Sequence, residues 1–216
     1  MTVTTDKMEA TDRIIFGLDL GQSQDYSAIA GIEVKQNFRK DLFKGWAEDG
    51  DSIILVRYLK RWPLGTSYPT IVDEVTSTLQ KIKGRPELVI DFTGVGRPVF
   101  DMFKDKRLHP KGISIHGGMH VSKEGTVYNV PKRDLVGALQ VLYQNGRIKI
   151  SGALPEKKQL NHELLNFKVR ISESGHDTYE AWREKDHDDI VLAVACACWM
   201  AQKKRKVKAC RPLPGH

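Results

Sequence analysis

From Arg13 to Leu20 the sequence reads Arg-Ile-Ile-Phe-Gly-Leu-Asp-Leu, an apolar run that scarcely alternates. A half-buried strand alternates apolar with polar residues, whereas an unbroken run of this length fits a central strand covered on both faces. Tyr26 to Val34 and Ser52 to Trp62 supply two further strands. They are joined by a turn at Gly21 to Asp25 and a long polar loop from Lys35 to Asp51, so the three should pair as an antiparallel meander.

Beyond Pro63 the period changes. Ile71, Val75, Leu79 and Ile82 fall at helical spacing, which predicts a helix over Tyr68 to Lys83. Short strands follow at Glu87 to Asp91, Gly112 to His116 and Arg147 to Ser151, and a Gly-rich loop is expected over Gly117 to Asn129. Helices are expected over Val99 to Arg107, Pro131 to Asn145, Glu156 to Phe167 and Asp188 to about Lys204. Alternation at Lys168 to Ser172 and Thr178 to Trp182, around Glu173 to Asp177, predicts a β-hairpin before the last helix. The expected class is therefore α/β: a mixed sheet of a three-stranded antiparallel meander plus parallel strands, flanked by helices.

Composition narrows the setting. At 216 residues the chain suits one domain, expected over 13–204, with a flexible polar stretch at 1–12 and a basic tail at 205–216. Hydrophobic residues at 40% and charged residues at 28% exclude global disorder. The longest apolar stretch, Ile190 to Ala201, falls short of the roughly 20 residues that span a bilayer. Met1 to Asp12 has no apolar segment of a secretory leader, so a cytosolic, non-secreted protein is expected. Cys196, Cys198 and Cys210 cannot close a disulfide framework. The first two stand two apart in a predicted helix, where they cannot chelate one metal together and read as small buried hydrophobes.

Four carboxylates interrupt apolar structure. Asp19 lies between Leu18 and Leu20, Asp91 ends Leu88-Val-Ile, and Asp188 and Asp189 open the apolar last helix. Asp188-Asp189 alone would suit a helix N-terminus, and Asp91 alone could start a turn. Asp19 within a central strand has no such explanation, because a buried carboxylate is costly unless paired. A bound divalent cation with hard oxygen ligands, Mg²⁺ or Mn²⁺, would resolve all of them together.

These segments carry a resemblance. Gly17-Leu-Asp-Leu-Gly21, Asp91-Phe-Thr-Gly-Val-Gly96 and His187-Asp-Asp-Ile-Val-Leu-Ala193 resemble the ribonuclease H-like nuclease domain of phage large terminase subunits, and the order of elements matches from Arg13 to about Lys204. The resemblance implies a ribonuclease H-like fold and a two-metal endonuclease that cuts double-stranded DNA during genome packaging in the host cytoplasm. It implies Asp19, Asp91 and Asp188 as catalytic metal-binding residues, Asp189 as a further ligand or an acid just behind the ligands, Asp25 as an acidic residue near the site, and His187 as a residue that orients a neighbouring carboxylate or acts itself. Partners implied are double-stranded DNA, a packaging ATPase, the small terminase subunit and the portal, with no membrane. Phosphodiester hydrolysis needs an activated water and a stabilised leaving oxygen. Two Mg²⁺ or Mn²⁺ ions about 3.5–4 Å apart supply both, with Asp19, on the most rigid strand, expected as their shared ligand. The chain departs from terminase large subunits in having no Gly-x-x-x-x-Gly-Lys-Ser/Thr loop. It is expected to be either an excised nuclease domain or a stand-alone product, unable to translocate DNA by itself.

A net charge of +7 around an acidic centre suits a polyanionic substrate. Candidate DNA-facing residues are Arg97, Lys132, Arg133, Lys168 and Arg170, with Lys203 to Lys208 as a basic tail of nonspecific DNA affinity. Actin- and sugar-kinase-like ATPases share the Gly-x-Asp-x-Gly turn, but they duplicate the fold and need a longer chain. A Holliday-junction resolvase-like endonuclease and a non-catalytic DNA-binding packaging protein are the alternative readings, the latter predicting that metal is dispensable.

Overall fold

The computed structural model describes residues 13–21, 25–35, 38–40, 47–49, 52–94, 96–173 and 188–203, apart from the side chains of 38–40, 47–49, 96 and 166–173. The meander expected from the sequence is present as β1 (Arg13–Asp19), β2 (Ala28–Lys35) and β5 (Ile53–Arg61). Within the long polar loop, β3 (Phe38–Lys40) and β4 (Ala47–Asp49) form a small separate hairpin. The crossover half follows as α1 (Tyr68–Gln80), β6 (Glu87–Asp91), α2 (Gly96–Asp105), β7 (Lys111–His116), β8 (Ser122–Glu124), β9 (Val127–Pro131), α3 (Lys132–Gln144), β10 (Ile148–Ile150), α4 (Lys157–Glu173) and α5 (Asp189–Gln202).

The main sheet has eight strands in the order β10-β5-β2-β1-β6-β7-β9-β8. β1 is antiparallel to β2, and β2 to β5, while β1, β6, β7 and β9 run parallel as neighbours. Helices cover both faces, and alternation along β1 sorts its side chains between them. Phe16 and Leu18 face a core made with α1 and α2, including Ile71, Val75, Phe100 and Phe103. Ile15 faces a second core made with α3, α4 and α5, including Leu135, Leu160, Val194 and Trp199. By the same alternation Gly17 and Asp19 share the α5 face. α5 is apolar nearly all round, as a helix sunk into a core must be, and Cys196 and Cys198 lie fully buried in it.

Local signals explain the helices. Ser67 caps α1 by accepting from the Thr70 amide, with proline in the first turn. α3 stops at Asn145-Gly146, where Gly146 takes a positive φ of 63°. Gly137, inside α3, has open space where a Cβ would stand. Gly137→Ala is expected to raise the unfolding free energy by about 0.5–1 kcal/mol, read from a urea midpoint.

The first strand of the expected hairpin is not there: residues 168–172 continue α4. Alternation over five residues is compatible with either period. The sequence spacing Leu160, Leu164, Phe167 and Ile171, once extended, is helical. The second strand of that hairpin, like the 1–12 stretch and the 205–216 tail, lies outside the described residues. The predicted loop at Gly117 to Asn129 in turn contains β8 and the start of β9, which add to the sheet beside β7. No helix among the described residues is long and apolar enough to cross a membrane.

At the start of β1, Arg13 donates to Glu87 (Nε to Oε1, 3.0 Å) and to the carbonyls of Ala201 and Lys203 at the end of α5. Lys111 donates to the other oxygen of Glu87 at 2.6 Å. Burial alone would raise the Glu87 pKa, but Lys111 and Arg13 outweigh it and hold the carboxyl below its ordinary 4.5. A depressed folded-state pKa stabilises the fold above the unfolded value and is lost as pH falls through the folded one. Glu87→Gln is expected to destabilise the protein at neutral pH and to flatten its stability loss below pH 4.5. Denaturant midpoints across that range check this, and an unchanged acid limb would contradict it.

Candidate active site

The two glycines around Asp19 do different work. At Gly17 a Cβ would stand 2.0 Å from the Ala193 carbonyl oxygen and 3.0 Å from the Ala197 amide nitrogen. α5 therefore lies directly on β1. At Gly21 a Cβ would stand 2.3 Å from the carbonyl oxygen of Asp25 and 2.4 Å from that of Tyr26, so the chain doubles back tightly after the strand. Ser27 and Tyr68 pin that bend: the Gly21 amide donates to Ser27 Oγ at 3.0 Å, and Tyr68 donates its hydroxyl to the Gly21 carbonyl at 2.9 Å.

The direction of α5 follows. Its C-terminal carbonyls meet Arg13, where β1 begins, and Ala193 and Ala197 meet Gly17. The helix runs antiparallel to β1, and its first residues, Asp188 and Asp189, reach the end of the strand where Asp19 stands. Leu18 pairs with Ile90 in parallel register, so the next positions, Asp19 and Asp91, end adjacent strands about 4.8 Å apart. Both carboxylates look toward α5. The Cys196 thiol there is pushed well above its ordinary pKa, first by burial and then by the charges of Asp91 and Asp19.

Each acid is held differently. Asp19 and Asp91 are buried, and Asp91 Oδ1 accepts the Thr93 amide at 2.8 Å in a turn that Gly94, at φ 91°, completes. Thr93 Oγ1 in turn accepts the Ile115 amide at 2.8 Å, tying that turn to β7. Asp188 occupies the N-cap position of α5 without a side-chain capping bond. Asp189 is buried, and its carboxyl is pushed up to about 7, chiefly by burial and then by the charges of Glu163, Asp188 and Asp25, with Arg61 opposing. Half-buried Asp25 thus contributes to the same negative field.

Glu163 on α4 lies against the start of α5 beside these acids, and the sequence pattern does not single it out. It is 2% exposed. Its Oε2 accepts the Val191 amide in the first turn of α5 at 2.9 Å, and its Oε1 accepts from Gln159 at 3.1 Å. Burial raises its pKa despite these bonds. Arg61, at the end of β5, approaches Glu163 to 4.0 Å and lies over the Tyr26 ring at 4.2 Å. The available signal was position: Glu163 stands three residues after Leu160, on the apolar stripe of its helix.

The cations expected to face DNA divide. Arg97 is exposed in the first turn of α2, just past the Asp91 turn. Lys132 and Arg133 open α3 beyond the end of β9, which runs parallel to β7 and β6, so they share the carboxylate end of the sheet. Arg133 is bound to the Met119 carbonyl at 2.8 Å. A groove of about 380 Å³ on the α2 side of the sheet is lined by Phe92, Arg97, Asp101, Lys104, Ser114 and Glu124, so its charge is mixed. Lys168 and Arg170 lie in α4 rather than in a hairpin, with side chains outside the description, and His187 is also outside the described residues.

Comparison with known proteins yields no matching family model and no matching curated relative. Among solved structures, the large terminase nuclease from thermophilic phage G20c superposes with a TM-score of 0.52 at 19% identity, covering 86% of this chain and 81% of that one. NurA bound to dAMP and manganese aligns at 12% identity over 91% of this chain and 55% of that one, with a TM-score of 0.17, too low to relate the folds. The eight-stranded mixed sheet with helices on both faces, met from residues upward and again by superposition, is the fold of a phage large terminase nuclease.

Proposed function

We propose that this chain is a divalent-metal-dependent endonuclease that cleaves double-stranded DNA, as in viral genome packaging. The observation that supports this most is the meeting of Asp19 and Asp91 at the ends of adjacent parallel strands, under the Asp188-Asp189 start of α5, in a fold shared with a large terminase nuclease. Carboxylate oxygens are the donors that Mg²⁺ and Mn²⁺ take. The buried Asp189 Oδ2 receives no hydrogen bond among the described residues, as an oxygen reserved for a cation would not. The donor set therefore fits. Among the described residues no three His, Cys, Asp or Glu side chains are gathered into a metal-binding cluster, and what the four acids share is one end of the sheet.

The chemistry supplied by bound divalent ions is activation of a water and stabilisation of the leaving oxygen. In this reading Asp19, held rigid by the central strand, would hold the ions together with Asp91 and Asp188, and Asp189 would be a further ligand. Asp25 adds negative charge nearby. Arg97, Lys132 and Arg133 hold the DNA backbone at the same end of the sheet. A packaging ATPase, the small terminase subunit and the portal are the partners this reading carries, inside a host cell.

Incubation with supercoiled plasmid and Mn²⁺ or Mg²⁺, with and without chelator, tests it. Nicked and linear products that disappear with chelator are expected. Intact plasmid at every metal concentration would overturn the nuclease reading, and a strong preference for four-way junctions over linear duplex would turn it toward a resolvase.

A further inference from the structure

α5 begins with two acidic residues, yet the hydrogen bond that closes its first turn comes from another helix. Glu163, its side chain fully shielded from solvent, accepts the Val191 amide at 2.9 Å, while Gln159 donates to its second oxygen and Arg61 stands 4.0 Å away. The free amides of a helix's first turn need an acceptor, and a buried carboxylate there is a strong one. A carboxyl group buried close to that of Asp189 is costly to keep, and its bonds to Val191 and Gln159 together with nearby Arg61 offset that cost.

We propose that Glu163 is a positioning residue of the candidate metal centre: by binding the Val191 amide it fixes the first turn of α5, and with it Asp188 and Asp189 over Asp19 and Asp91. Arg61 supports it in turn. The guanidinium is held from two sides, over the Tyr26 ring and against Glu163, so the end of β5, the bend before β2 and the start of α5 are tied together around the acids. Glu163 acts through hydrogen bonding and needs no contact with a bound ion. The inference rests on the nuclease reading, because it gives Asp188 and Asp189 a cation to hold.

Two conservative variants separate the acceptor from the charge. Glu163→Gln keeps an oxygen that can take the Val191 amide and removes the charge. Glu163→Asp keeps the charge and draws the oxygen back by one methylene. Mn²⁺ binding to the full chain, measured by titration calorimetry, is expected to stay within about threefold of wild type for E163Q and to weaken at least about 10-fold for E163D. A purely structural role would lower the Tm of both variants and leave Mn²⁺ affinity unchanged. Wild-type affinity in E163D, or equal weakening in both variants, would overturn the positioning role while leaving the nuclease reading standing. A wild-type protein that takes up no Mn²⁺ would overturn both.

Discussion

Asp19→Asn and Asp91→Asn are each expected to lower Mn²⁺-dependent plasmid cleavage at least about 100-fold while leaving the protein folded. Loss of a group that merely orients a metal ligand typically costs 10–100-fold, so loss of a ligand sets that range as a floor. Asparagine keeps the size and one acceptor oxygen of the side chain, so Asp91→Asn can still take the Thr93 amide that shapes its turn. The loss should therefore be one of negative charge. Removing a crowded buried charge also relieves repulsion, so the Tm of both variants should hold or rise in the absence of metal. Initial cleavage rates beside a melting curve check this. Unchanged cleavage in either variant would remove that residue from the centre, and lost cleavage with a collapsed melting curve would report on folding instead.

Gly17→Val carries the largest expected effect on stability. A Cβ at residue 17 would stand 2.0 Å from the Ala193 carbonyl oxygen, an atom fixed in the backbone of α5. Neither the strand nor the helix can yield locally. β1 is paired on both sides and α5 is buried along its length, so the helix must lift as a unit from the sheet. Overpacking a core costs about 1–3 kcal/mol where side chains can shift, and a clash with backbone belongs at or above the top of that range. The variant is expected to lose at least about 3 kcal/mol in denaturant unfolding and to displace Asp188 and Asp189 together with α5. An unfolding free energy within about 0.5 kcal/mol of wild type would show that α5 does not lie on Gly17 as described.

The acids were legible in the sequence because they break apolar patterns. Asp19 is conspicuous between Leu18 and Leu20, and Asp91 and Asp188-Asp189 each sit where a hydrophobic run starts or stops. Glu163 was not, because Glu156, Lys157 and Lys158 make its helix look like an ordinary solvated one. Only packing shows that Leu160 and Glu163 point inward together. The meander was legible from long apolar strands. β9 was not: Val127–Pro131 follows glycines, contains Asn129 and ends in proline, and what makes it a strand is pairing with β7, an interaction absent from local sequence. The hairpin expected at 168–172 failed for a related reason, since five alternating residues leave the period undecided and continuity with the Leu160–Leu164 stripe decides it.

In the proposed nuclease, carboxylates from β1, β6 and the start of α5 hold divalent cations at one end of the sheet. Anomalous diffraction from crystals of the protein soaked in Mn²⁺ would locate those cations. Manganese peaks are expected within about 2.5 Å of oxygens from Asp19 and Asp91, with Asp188 or Asp189 completing the set. Manganese found only elsewhere on the molecule, with none between those strand ends, would contradict the proposal.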